Sequence, residues 1–254
     1  MTFGQFDRGF EYIEKMLEAA PLRPTSYDAK VSAYTTVANH YLDEGETDNA
    51  ADMFEKAVEV KEDVKAANEK AERTIVLNQE SMNAIFKARY TLENINDKDK
   101  LAKLENAAYI SYLDLDVNAD GSLDDRWRIS NSADGNAHAE IIENGTLITN
   151  DGEDHGIFLS PRFALQPSTT YGIDLKIRGD VNDEYAQLLV RSANGTSTQL
   201  SQRPIGEPTE DNIYSFTFET TEDIEAGAQE IRFYHYGNSN KEFTVQQVIL
   251  YEIE

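Results

Sequence analysis

Residues 170–178 read TYGIDLKIR. Tyr171, Ile173, Leu175 and Ile177 alternate there with Gly172, Asp174, Lys176 and Arg178. A period of two marks a half-buried strand, because successive side chains of a strand point to opposite faces of its sheet. The first four residues are therefore expected in a core, with Lys176 and Arg178 on the opposite face. The same period recurs downstream. In IYSFTFE (213–219), Tyr214, Phe216 and Phe218 alternate with Ser215 and Thr217. YAQLLVR (185–191), IRFYHY (231–236) and FTVQQVILYEIE (243–254) have the same habit, and Gly, Asn, Asp and Ser fill the turns between. Many short strands with such turns predict an antiparallel β-sandwich over residues 108–254.

Upstream the period changes. Residues 1–107 are rich in Ala, Glu and Lys, and apolar residues recur at helical spacing: Phe10, Ile13, Met16, Leu17; then Val37, Tyr41, Met53, Phe54, Val58; then Ile75, Met82, Ile85, Leu92. Pro21 and Pro24 separate the first helix from the second. Gly45 lies in the turn DEGET, and Asp97 is placed to cap a last helix after NDKDK. The stretch from Glu62 to Ile95 reads as one long helix. The fold class is α + β in separate domains: four or five helices as a bundle or as hairpins, then a β-sandwich. The helical domain is expected to anchor or oligomerise the protein.

Within the helical half, Tyr34, Val37, Ala38, Tyr41, Gly45, Ala50, Phe54 and Ala57 stand at the spacings of the tetratricopeptide signature. The segment resembles one such repeat. Small residues let two antiparallel helices approach, and the aromatics fill the space between them. A second copy is not evident, and such repeats need about three copies to be stable, so the segment reads as a single helical hairpin that shares the packing solution rather than as a peptide-binding superhelix.

The β half carries a resemblance of its own, over roughly residues 110–254. It rests on LDLDVNADGSLDDRW (113–127), GIFLSPRFALQPSTTYGIDLKIRGD (156–180), IYSFTFETTED (213–223), IRFYHYG (231–237) and the closing FTVQQVILYEIE. Together these resemble the galactose-binding-like jelly rolls that serve as carbohydrate-binding modules. The resemblance implies a jelly roll with a glycan site on one face or at its loop tips.

The alternation supplies candidates for that site. If Leu188 and Val190 are in the core, Gln187 and Arg191 share the other face. If Ile231 and Phe233 are buried, Arg232, Tyr234 and Tyr236 do the same. With Lys176 and Arg178, these residues are expected to converge on one face. Aromatic faces stack on sugar rings, and Arg or Gln fixes hydroxyls. Tyr and Arg are also the residues of protein interfaces, so a partner or assembly face is the competing reading. Trp127, the only tryptophan, is expected to plug the core at a strand start.

Asp116, Asn118, Asp120 and Asp124 occupy positions 1, 3, 5 and 9 of an EF-hand-like loop, with Gly121 at position 6. Trp127 takes position 12, where a bidentate glutamate is needed, and this removes the EF-hand. Two readings remain, a structural calcium held by these oxygens or an Asx/Gly turn before the first strand.

Composition narrows the function classes. There are 47 acids against 23 bases, a formal net charge of −24. Such a surface repels phosphate backbones and anionic membranes, so neither nucleic acid nor membrane insertion is expected. There is no cysteine, hence no thiol chemistry. The N-terminal stretch lacks the pattern of a secretory signal, and no apolar run approaches a membrane span. His40, His138, His155 and His235 show no metal or nucleophile spacing, so no enzyme is expected.

The whole-chain reading is a virion structural protein of a tailed phage: a fibre, decoration or tail-associated protein. It would homo-oligomerise or bind other virion proteins, and it would display a module for host glycan. The first alternative is a bacterial carbohydrate-binding protein of a surface or secreted assembly. The second is a peptide-binding adaptor.

Overall fold

The computed structural model describes residues 3–71, 74–118, 121–179, 186–192, 198–202, 207–209, 211–224, 229–235 and 242–253. The chain forms two compact units, Met1–Leu104 and Glu105–Glu254.

The first unit is helical: α1 (Phe3–Ala19), α2 (Pro24–Asp43), α3 (Thr47–Glu69), α4 (Gln79–Asn94) and α5 (Lys98–Glu105). Pro24 opens α2 at its first turn, where a missing N–H costs nothing. Gly45 takes φ +77° in the turn to α3, a conformation that favours glycine. The α2–α3 hairpin buries Ala38, Ala50, Phe54 and Ala57, joined by Ala88 of α4, with Tyr34 and Tyr41 packed against them. Asp97 accepts from the Lys100 amide at 3.1 Å and so caps α5.

The expected long helix from Glu62 to Ile95 is interrupted, because α3 ends at Glu69 and α4 begins at Gln79. Two causes are local. Thr74, Ile75 and Val76 are β-branched and lose rotamer freedom in a helix. Asn68 also clasps the extended chain, accepting from the Ile75 amide at 2.6 Å and donating to the Ile75 carbonyl at 2.9 Å. Ile75 and Leu77 are buried in this extended conformation. Asn78 then caps α4 by accepting from the Ser81 amide at 2.8 Å. No helix among the described residues is long and apolar enough to cross a membrane.

The second unit is a jelly-roll sandwich of two antiparallel sheets. Its strands are β1 (Ala107–Tyr112), β2 (Arg128–Asn131), β3 (Ala137–Ile142), β4 (Gly145–Asn150), β5 (Gly156–Leu159), β6 (Thr170–Gly179), β7 (Ala186–Ser192), β8 (Thr198–Gln202), β9 (Ile213–Glu219), β10 (Gln229–His235) and β11 (Phe243–Glu252). The first sheet runs β3-β4-β11-β6-β9, with β1 also paired to β11; the second runs β2-β5-β10-β7-β8. Both sheets feed one core. The first supplies Ile148, Tyr171, Ile173, Leu175, Ile177, Val248 and Leu250, and the second Phe158, Ile231 and Phe233. Tyr171, Ile173, Leu175 and Ile177 are all buried, as their alternation predicts. Trp127 is the expected plug: its indole stacks on Phe158 at 4.8 Å inside the core.

Candidate functional site

Strand pairing and core membership together fix what the outer face of the second sheet carries. Phe158, Ile231 and Phe233 are core residues, so their chain neighbours point away from the core. The register then sets out rows. Arg128 of β2 pairs with Leu159 of β5, which pairs with Arg232 of β10. In the next row of this face, Ser130 pairs with Ile157 and Ile157 with Tyr234.

Glu230 lies on β10 one step along the same face from Arg232, and it is only 1% exposed. A buried carboxylate needs partners, and it has two. Arg128 Nη2 donates to its Oε2 at 2.6 Å, and Arg232 Nε donates to its Oε1 at 2.7 Å. The Arg128 side chain stays 44% exposed and the Arg232 side chain 14%. At the rim, the His155 ring lies 5.8 Å from that of Tyr234. Asp154 beside it accepts from the His155 amide at 2.7 Å and meets His155 Nδ1 at 2.9 Å. Hydrogen bonds from the His155 backbone, the His155 ring and Ser132 hold this exposed carboxyl below the usual range.

The expected convergence of seven side chains on one face is corrected by the topology. Lys176 and Arg178 lie on β6 of the first sheet, while Arg232 and Tyr234 lie on β10 of the second. Each group points away from the shared core, so the two groups occupy opposite faces of the sandwich. Gln187 and Arg191 lie on β7, where the register sets Gln187 across from Tyr234 and Arg191 across from Glu230. Tyr236 lies outside the described residues. Arg128, Ile157 and Glu230 enter the face although the sequence reading did not select them. Arg128 and Glu230 flank inward residues, Trp127 and Ile231, and the period-two rule applied to RWRIS and QEIRF would have found them.

The acidic loop is neutralised from within. Asp116 is buried, and its Oδ2 accepts from Trp127 Nε1 at 2.7 Å and Ser111 Oγ at 3.1 Å, while its Oδ1 accepts from Arg126 Nη2 at 3.0 Å. Asp124 Oδ1 accepts from Arg126 Nε at 2.7 Å. Asn118 directs its amide nitrogen, not its oxygen, toward the Leu123 carbonyl at 2.9 Å and Asp125 Oδ1 at 3.0 Å. Burial pushes the Asp116 carboxyl up, against the opposing pull of Trp127, Arg126 and Ser111. The expected calcium set of Asp116, Asn118, Asp120 and Asp124 is therefore not assembled by the described residues. The guanidinium of Arg126 sits between the two carboxylates instead, and Asp120 lies outside the described residues. Among the described residues, no group of three His, Asp or Glu is placed to hold a metal ion.

Neither a protein-family model nor a curated protein matches the chain. Solved structures do match its C-terminal part. One is described as "BiXyn10A CBM1 APO", with 11% identity over 57% of this chain and 98% of that one, at a TM-score of 0.42. A carbohydrate-binding module from Cellvibrio mixtus lichenase 5A, solved with cellotriose, has 10% identity over 58% and 99% at a TM-score of 0.34. The enzymatically active domain of tailspike protein 4 from bacteriophage CBA120 has 9% identity over 51% of this chain and 20% of that one, at a TM-score of 0.34.

Proposed function

We propose that the β unit is a non-catalytic carbohydrate-binding module whose site is the outer face of β2, β5 and β10. One observation carries the reading. The Tyr234 ring lies in a row with Ile157, beside two guanidinium groups held by one buried carboxylate. Sugars need both kinds of group: a flat apolar surface for the C–H face of the ring and fixed donors for the hydroxyls. Arg128 supplies the donors, because among the described residues its side chain makes one hydrogen bond, to Glu230, and a guanidinium has several N–H groups to offer. Because Glu230 already orders that side chain, binding loses little rotamer freedom.

The wider role we propose is display: the helical unit assembles or anchors and the sandwich binds. A tailed-phage particle, as fibre, decoration or tail-associated protein, is the setting that the order of the two units supports, and a bacterial surface assembly is the alternative. Proteomics of purified particles from the source would tell them apart. For the binding role, the test is an oligosaccharide array probed with wild type and Tyr234→Ala. The proposal expects glycan hits that weaken at least tenfold in the variant, the loss of about 1.4 kcal/mol. An array without a hit would overturn it and leave this face to a protein partner.

A further inference from the structure

We infer that the glycan taken by this face is anionic, a uronate-containing polysaccharide; this rests on the carbohydrate reading above. Acids outnumber bases 47 to 23 along the chain. At the outward positions of β2, β5 and β10 the ratio is reversed, for Arg128 and Arg232 stand against Glu230 alone. Exposure sharpens the reversal. The Glu230 side chain is 2% exposed and that of Arg128 is 44%, so an incoming ligand meets guanidinium rather than carboxylate.

A neutral sugar has no need of such a reversal. Carboxylates and amides, abundant on this protein, would hold its hydroxyls equally well. An anionic sugar is repelled by the surface at large and binds only where the local field is positive. The remaining surface does not prevent this, since exposed charges are screened within about 8 Å at physiological salt. The guanidinium also suits the ligand in shape. Its planar fork matches a carboxylate with two parallel N–H···O bonds, which an ammonium cannot do. At the rim, the Asp154 carboxylate is engaged by its own neighbour, His155.

The experiment is calorimetric titration of the full chain with polygalacturonate, its fully methyl-esterified form, and inorganic polyphosphate. Wild type, Arg128→Gln and Arg128→Lys are compared, and circular dichroism confirms that each is folded. The inference expects polygalacturonate to bind at least tenfold tighter than its methyl ester and to weaken as salt rises. Arg128→Gln should remove that preference, and Arg128→Lys should restore it only in part. Equal binding of both forms, or a preference that survives in Arg128→Gln, would overturn the inference while leaving a carbohydrate site in place. Polyphosphate binding as tightly as polygalacturonate would overturn it in favour of a bare cation patch. Loss of binding to every glycan, neutral ones included, would remove the carbohydrate reading itself.

Discussion

Arg126 and Arg128 stand two residues apart, on either side of Trp127, and serve two different carboxylate clusters. Arg126 closes a loop. Its Nε and Nη2 reach Asp124 and Asp116, and the remaining Asp116 contacts go to Trp127 and Ser111. Arg128 opens a face, since among the described residues its side chain makes one hydrogen bond, to Glu230, and stays 44% exposed. The chemistry is the same in both, a guanidinium on a buried carboxylate. What differs is how the guanidinium is tied. Arg126 bridges two carboxylates of one loop and so holds that loop together, whereas the Arg128 side chain is tied to a single carboxylate and has more of its N–H groups to offer a ligand.

The comparison breaks most severely where the two clusters meet. Trp127→Ala would empty the space against Phe158 and remove the indole donor from Asp116. We expect a loss of about 3–5 kcal/mol, read from the urea midpoint of the β-sheet circular dichroism signal.

Removing Asp116 tests the closed cluster alone. Asp116→Ala leaves the Trp127 indole and one end of Arg126 without their acceptor, and about 2–3 kcal/mol should be lost. The half-exposed guanidinium can turn to water, which keeps the cost below that of a fully buried pair. Asp116→Asn adds a pH test. Burial raises the Asp116 carboxyl pKa in the folded protein, so the folded state holds that proton more tightly than the unfolded chain does. Relative to Asp116→Asn, the wild type should gain stability as pH falls through that raised pKa. A relative loss over the same range would mean that the Arg126 pair outweighs the burial.

Arg128→Gln is the matched test on the open side. The exposed half of this ion pair is screened by solvent, so stability should change by less than about 1 kcal/mol, while ligand affinity falls. A large stability loss would make Arg128 a structural residue like Arg126. The smallest expected effect is that of calcium: with Arg126 between the two carboxylates, neither added calcium nor a chelator should move the melting temperature. A rise with calcium would show that Asp120 completes a site after all.

These contrasts also show what the sequence could and could not reveal. The alternation of Tyr171 to Ile177 identified a strand and its buried side, because a period of two is a local property. Trp127 is legible as a core residue because a lone tryptophan at a strand start is most often a buried plug, and Asp97 as a cap from its position before a helix. The long helix was misread because its apolar stripe continues through Ile75, while the clasp from Asn68 that ends it depends on a side chain's hydrogen bonds. The face was only half legible. The side of its own strand that each residue occupies follows from alternation, but the sheet that each strand joins does not. Alternation alone groups Lys176 and Arg178 with Arg232 and Tyr234, although β6 and β10 belong to different sheets. Glu230 and Arg128 meet across 102 residues of chain, a pairing that no local pattern can carry.

The sandwich has two outer faces, and only one of them is the proposed binding face. Titrating one glycan ligand into Tyr234→Ala and Arg178→Ala, side by side with wild type, decides it. The second-sheet face predicts at least a tenfold loss for Tyr234→Ala, about 1.4 kcal/mol, and wild-type affinity for Arg178→Ala. Loss in Arg178→Ala with wild-type binding in Tyr234→Ala would contradict the account and move the site to the face that β6 shares with β11.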